Sequence, residues 1–331
     1  MAIDTAWRRR RQAALWTLST GSLAWAALRG TGWEPAPLVP LLAFTPLAAG
    51  GSVLPFLAAV AGRRWATAVP AALALSLFTA CLAPRAIADR PVGPGPGSGV
   101  ALPVMTANLL AGGADPATIL RLVRANDIAV LALQEFTGQA RSALTAAGLG
   151  TLFPYASVAL PRTSDPFDTT GSALYSRYPL SGPGVRLNVG GFQQAYATVE
   201  VPSGGPVAIE SAHPVAPHSL AVMDEWRTDL GNEPVPDPDG PPRILLGDFN
   251  ATLDHAALRR LIGRGYRDAA DATGQGLRPT WGPYAIRPVK LVTIDHVLVD
   301  RRIGVSRVAV HALRRSDHRA VVADLWLPAR R

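Results

Sequence analysis

No charged residue interrupts positions 38–62 or 65–84, and a further apolar run from Ala13 to Leu28 follows the arginine cluster Arg8–Arg11. These runs limit the possible folds more than any other feature. About 20 apolar residues suffice for a helix to cross the hydrocarbon layer of a bilayer. A soluble helix of that length keeps a polar face, and these runs have none. The expectation is a membrane region over residues 1–90 with three transmembrane helices, 13–28, 38–61 and 65–84. Pro40, Pro46 and Pro55 would kink the second, which spans tolerate. The first run also fits a cleaved signal peptide, with a basic start and small residues near Ala24–Ala27. The two later runs would still leave membrane segments after such a cleavage.

Arginines near the spans set the expected orientation. Arg8–Arg11, Arg63 and Arg64 fall on one side, and Arg29, Arg85 and Arg90 on the other. With three spans and a cytoplasmic N-terminus, the rest of the chain lies outside the cytoplasm, so the expected location is the cell membrane, multi-pass. Two spans would reverse it. Residues 91–99, Pro-Val-Gly-Pro-Gly-Pro-Gly-Ser-Gly, read as a linker. Residues 100–331 then form a separate domain. The lone Cys81 excludes an intramolecular disulfide and a cysteine-built zinc site. The net charge of +8 suits polyanionic substrates or anionic lipid surfaces.

The C-terminal domain alternates strand-like and helical runs. Strands are expected at 102–106, 128–133, 172–175, 196–201, 207–211, 243–246, 293–299, 305–312 and 320–325. Helices are expected at 115–125, 138–147, 219–230 and 253–261. Asp115-Pro116 supplies an N-cap and a first-turn proline. The stretch Glu233 to Pro242 reads as an exposed loop. Periodicity indicates α/β or α+β and goes no further.

Six short segments carry the polar residues of interest: Thr-Ala-Asn108, Leu-Gln-Glu135, Ser-Ala-His213-Pro, Gly-Asp248-Phe-Asn250, Ile-Asp295-His296 and Ser-Asp317-His318. Most close an apolar strand-like run, where residues distant in sequence can meet on one sheet edge. Together they offer carboxylate and amide oxygens for a hard cation, with donors for a phosphate. A carboxylate such as Glu135 at the mouth of a buried strand is costly without a cation.

In identity and order this set resembles the endonuclease/exonuclease/phosphatase superfamily, over roughly residues 100 to 327. Pancreatic-type DNases, apurinic endonucleases, inositol polyphosphate phosphatases and neutral sphingomyelinases belong to it. Gly-Asp-Phe-Asn after Ile244-Leu245-Leu246, followed by a distant Ser-Asp-His, is the most specific part. The resemblance implies a four-layer α/β/β/α sandwich (DNase-I-like), here preceded by transmembrane helices, and hydrolysis of a phosphoester with Mg2+, or Mn2+ in its place. It makes Glu135 the principal metal ligand, Asn108 a second metal-site residue, and Asp317 a ligand or loop brace. Asp248 would activate water and Asn250 would donate to a phosphoryl oxygen. His213 would contact a non-bridging oxygen, and Asp295 would pair with His318. Pancreatic-type DNases pair the histidine matching His213 with a glutamate. Here the matching position lies near Thr170, in a segment without glutamate, which argues against an acid/base role for His213.

His218, His255, His296 and His311 read as structural, and Tyr175 as core. Pro279-Thr280-Trp281 is expected to pack near the substrate cleft. Arg162, Arg177, Arg278, Arg287 and Lys290 could form a basic rim. The expected partners are a phosphoester substrate (nucleic acid or phospholipid) and the membrane lipid bilayer, with no protein partner. Nuclease-like action follows the family, whereas the anchor suits a phospholipid or sphingolipid headgroup hydrolase. A catalytically silent membrane scaffold would be expected to have replaced Glu135, Asp248 or His318, and all three are present.

Overall fold

The computed structural model describes residues 2–283 and 289–329. Arg287, one of the residues expected at the rim, lies outside the described residues. Strands run in chain order β1 Gly99–Asn108, β2 Val130–Gln134, β3 Tyr155–Ala159, β4 Ser172–Ser176, β5 Leu180–Leu187 and β6 Gln193–Val201. They continue as β7 Gly205–Ala212, β8 Arg243–Asp248, β9 Tyr266–Asp268, β10 Asp295–Asp300, β11 Gly304–Ala312 and β12 Arg319–Pro328. They make two six-stranded sheets, ordered β11-β12-β1-β2-β4-β3 and β5-β6-β7-β8-β10-β9. Each sheet holds one parallel pair at its centre, β1 with β2 and β7 with β8.

Strand alternation builds the layers. Leu102, Val104, Val130 and Ala132 of the first sheet meet Ile209, Ile244 and Leu246 of the second in one core. The intervening residues Met105, Leu131 and Leu133 face outward onto the helices Pro116–Ala125 and Gly138–Ala146. Leu245 of β8 does the same against Trp226 and Leu258 of the helices Met223–Asn232 and Ala256–Gly263. The result is a mixed α/β sandwich with helices outside both sheets.

The nine expected strands are present, with ends shifted by a few residues; β3, β5 and β9 were not expected. Asp115 caps its helix as expected, accepting from the Thr118 amide at 3.0 Å. The stretch from Glu233 to Pro242 is a loop, as expected, exposed at Asp237, Pro238 and Asp239, but it is anchored. Glu233 is buried and takes a 2.6 Å hydrogen bond from Arg186, while Arg302 donates to the carbonyls of Asp237, Pro238 and Gly240. Two arginines therefore anchor this exposed loop, which nothing in the local sequence announces.

The N-terminal third also differs. Its first helix runs over Ala2–Thr31, well beyond the expected 13–28. Among the described residues one helix, Trp65–Ala86, is long and apolar enough to cross a membrane. The expected second span is broken into Ala36–Leu42 and Thr45–Ala61, bent by 81°, and passes the same test only if the pair is counted as one. Pro46 starts a new helix at the break, and Thr45 turns its hydroxyl back onto the Leu42 carbonyl at 2.7 Å. Ser19, Thr20 and Ser22 dilute the first helix.

The three long helices pack on one another and on the sandwich. Arg29 and Arg85, near the ends of two of them, converge on buried Asp254 at 2.9 and 2.7 Å. Glu34 accepts from the amides of Ala256 and Ala257, which open the helix Ala256–Gly263. His255 donates from Nε2 to the Val39 carbonyl at 2.9 Å, its Nδ1 being occupied by the Thr252 amide. The expected linker is tied down at its start: Asp89 donates to the Ala272 carbonyl, and Arg267 to that of Val92.

Candidate active site

The central parallel pairs bring the polar residues together. Asn108 and Gln134 end β1 and β2 side by side, so Glu135 emerges next to Asn108. Ala212 and Gly247 pair at the ends of β7 and β8, leaving His213 and Asp248 as neighbours. A Cβ on Gly247 would lie 1.9 Å from the Ala212 carbonyl oxygen, which explains glycine before Asp248. Asp295 opens β10 and His318 precedes β12, in line with the expected runs 293–299 and 320–325. Both strands run antiparallel to neighbours that end at the site, so their starts share the same edge.

Asp248 Oδ2 is the hub. It accepts from Asn108 Nδ2 at 3.0 Å and lies 3.6 Å from His318 Nε2 and 3.8 Å from His213 Nε2. The same Asn108 amide donates to Glu135 Oε1 at 3.0 Å, joining the two carboxylates through one nitrogen. Asn108 Oδ1 is turned to the Leu110 amide, and the Ala111 amide binds Glu135 Oε2. Glu135 and Asn250 hold left-handed backbone at φ 53° and 48°. Such conformations cost non-glycine residues about 1–3 kcal/mol each and cluster at functional sites.

Asp295 engages His318 Nδ1 with both oxygens, at 3.1 and 3.0 Å. Thr280 Oγ1 accepts from the amides of Ile294 and Asp295, and Ser316 Oγ takes the His318 amide. Asp317 Oδ2 accepts from Trp281 Nε1 at 3.0 Å, while its buried Oδ1 accepts no hydrogen bond among the described residues and lies 4.0 Å from His318 Nε2. Asn250 donates its backbone amide to Asp248 Oδ1 and one amide hydrogen to the Pro214 carbonyl. His213 is buried against Phe192, ring centroids 4.6 Å apart, and its Nδ1 has no hydrogen-bond partner among the described residues. Asp248 lies 3.8 Å from its Nε2, but no carboxylate among the described residues engages Nδ1, in keeping with the glutamate missing near Thr170.

Burial pushes Glu135 up and Asp248 up to about 7, the latter offset by His318 and raised further by Asp295. Burial alone would lower His318, but Asp295 and Asp248 raise it to about 10. Burial and the neighbouring His318 drive His213 down to about 3. The two rings are thus driven in opposite directions in the same pocket, His318 toward the imidazolium and His213 toward the neutral imidazole.

The donor set suits a hard divalent cation. Asp248, Asp295 and His318 present ligand atoms within 4.8 Å of one another, but Asp295 and His318 already satisfy each other. The oxygens of Glu135 and Asp248, both raised by burial, and the orphaned Asp317 Oδ1 are better matched to a cation.

The remaining histidines separate. His296 bonds Asp268 at 2.6 Å and the Ala251 carbonyl at 2.9 Å, pointing away from the site. His255 braces Val39, and His311 lies on β11. His218 is exposed on the rim of the catalytic cavity. That cavity of about 500 Å3 is also lined by Phe192, by Trp281 as expected, and by Pro40, Ala43 and Phe44 from the broken helix pair. No local pattern marked this helical wall, because its contacts join segments about 200 residues apart.

A two-sheet sandwich with carboxylates, amides and histidines gathered on one edge defines a DNase-I-like hydrolase architecture. The chain belongs to the endonuclease/exonuclease/phosphatase family, whose family model matches residues 105–318. Its members are phosphoester hydrolases. A similar solved structure is the endonuclease/exonuclease/phosphatase from Beutenbergia cavernae DSM 12333, 22% identical, covering 69% of this chain and 72% of that one, with a TM-score of 0.54. TDP2 from Caenorhabditis elegans is 13% identical over 69% of this chain and 74% of its own, at a TM-score of 0.51. A family protein from Leptotrichia buccalis C-1013-b is 14% identical over 67% and 98%, also at 0.51. These identities show the fold alone. No curated protein matches the chain.

Proposed function

We propose that this protein is a metal-dependent phosphoesterase, held at a membrane by residues 1–90 and acting through residues 100–331. The observation that carries this reading is the junction of Asn108, Glu135 and Asp248 beside His213 and His318. Glu135, Asn108 through its amide oxygen, and Asp317 would hold Mg2+ or Mn2+. The bound ion supplies Lewis-acid stabilisation of charge on the phosphoryl oxygens. Asp248, raised toward neutrality, accepts the proton of the attacking water. The water oxygen bonds to phosphorus, the P–O ester bond breaks, and the leaving oxygen takes a proton from imidazolium His318, which Asp248 can later restore. Neutral His213, imidazolium His318 and the remaining Asn250 amide hydrogen donate to oxygens on which charge develops.

The arginines support a cytoplasmic N-terminus with the sandwich on the other side. Arg8–Arg11 lie about 27–32 Å back along the helix from Arg29, whose guanidinium is held by Asp254. Arg63 and Arg64 follow the helix that leads away from Phe44. Six arginines thus sit at ends remote from the sandwich, while Arg29 and Arg85 at the near end share the single carboxylate of Asp254.

The test is turnover by the purified full chain of bis-p-nitrophenyl phosphate and plasmid DNA, with and without Mg2+, beside Glu135→Gln. Metal-dependent hydrolysis lost in the variant supports the reading. Turnover indifferent to both metal and Glu135 would overturn it.

A further inference from the structure

Three residues after Asn250 the chain passes from the support of the sandwich to that of the N-terminal helices. Up to Thr252 it is held from within the sandwich: Trp226 Nε1 donates to the Asn250 carbonyl at 3.1 Å and His296 Nε2 to that of Ala251 at 2.9 Å. The Leu253 carbonyl then accepts from Arg29 and Arg85, both at 3.3 Å, and the Asp254 carboxylate takes the same two guanidiniums. His255 Nε2 donates to the Val39 carbonyl, and Glu34 accepts from the Ala256 and Ala257 amides. His255 joins the two stretches. Its Nδ1 accepts from the Thr252 amide at 2.8 Å, and its ring packs edge-on against Trp226, ring centroids 5.3 Å apart. Val39 is fully buried in the same core cluster as Trp226 and Phe249. Pro40, Ala43 and Phe44 line the catalytic cavity together with Asn250 and His255.

We propose that the N-terminal helical region is a positioning element of the active site: Arg29, Glu34, Val39 and Arg85 hold the loop 250–257, through His255 and Asp254, so that Asn250 keeps its place beside Asp248. Asn250 has φ 48°, a conformation that persists in a non-glycine residue only where its surroundings over-determine it. Its own bonds, from its amide to Asp248 Oδ1 and from its side chain to the Pro214 carbonyl, are those a shifted loop would lose. The helices therefore do more than tether the sandwich, because a change in their packing reaches the reaction through one side-chain amide. This rests on the phosphoesterase reading above.

The test is a double-mutant cycle on the full chain in lipid nanodiscs, read by Mg2+-dependent turnover of bis-p-nitrophenyl phosphate. Arg29→Gln, which leaves Asp254 paired with Arg85, and His255→Gln are each expected to lower kcat about tenfold with KM changed less than about twofold, part of the about 10²–10³-fold that one lost oxyanion donor costs. Added to Asn250→Ala, either change is expected to lower kcat by less than about twofold more, since the group through which it acts is gone. A larger further loss on Asn250→Ala, or no loss on the unaltered chain, would overturn the proposal. Because either variant could fold poorly, amide hydrogen exchange is also followed on the unaltered chain. The amides of Asn250, Ala256 and Ala257 are expected to open as one unit, with protection within about threefold of one another, and any wider spread would overturn the proposal. Absence of Glu135-dependent turnover by the unaltered chain would overturn the phosphoesterase reading, while the exchange experiment, which needs no turnover, still decides whether the loop and the helices open together.

Discussion

His318 and His213 both lie beside Asp248 Oδ2, buried and at nearly equal distances, yet their protonation is driven in opposite directions. His318 leans on Asp295 and is raised to about 10; His213 has Phe192 and an empty Nδ1, and is lowered to about 3. Burial penalises both rings alike. A carboxylate on the far nitrogen decides the outcome, and it separates a charged donor from a neutral one.

The sharpest way to break this comparison is to remove each ring in turn. His318→Gln is expected to lower kcat/KM for bis-p-nitrophenyl phosphate by about 10³–10⁴-fold, since it removes the charged group nearest Asp248. His213→Gln is expected to cost about 10²-fold, the scale of one lost donor to a developing oxyanion. Its pH–rate profile between pH 6 and 9 should keep the wild-type shape, because His213 is neutral throughout that window; a lost limb would show that His213 titrates in turnover. Asp295→Asn keeps both rings and removes only the difference between them. A fall of about 10–100-fold is expected, the range for a carboxylate that orients a histidine. Rates equal to wild type would show that pairing is irrelevant to the chemistry.

His296 sharpens the comparison from outside the site. It is paired with Asp268 much as His318 is with Asp295, but it faces the Ala251 carbonyl. Burial lowers its pKa, Asp268 raises it, and the balance lies above the ordinary histidine value. Stability from such a group is fully present below the unfolded value and is lost as pH rises through the folded one. His296→Gln should therefore destabilise the fold by about 2 kcal/mol at pH 6 and by less at pH 9.5. Thermal midpoints at the two pH values give the sign, and a larger cost at pH 9.5 would contradict the charged assignment.

The strands that frame the site were legible because their apolar runs are long and end in polar residues. Ile244-Leu-Leu before Gly247-Asp248 and Ile128 to Leu133 before Glu135 are read directly. β5 was not legible: Gly182, Pro183 and Gly184 break its pattern, and as an edge strand it is largely exposed. β9, with three residues, offers no period to read. Site residues were legible by type and order, but their partners were not. Nothing near Asp254 in sequence announces Arg29 or Arg85, and nothing near Phe44 announces His213. The N-terminal runs show the opposite failure. Apolar composition is plain there, but Pro46 and Thr45 break one run into two helices.

Calorimetric titration of Mg2+ into the full chain tests the central claim, a cation site built on Glu135 within this constellation, without relying on turnover. The account predicts saturable binding that is lost in Glu135→Gln and retained in His213→Gln. No binding to the unaltered chain, or binding undiminished by Glu135→Gln, would contradict it.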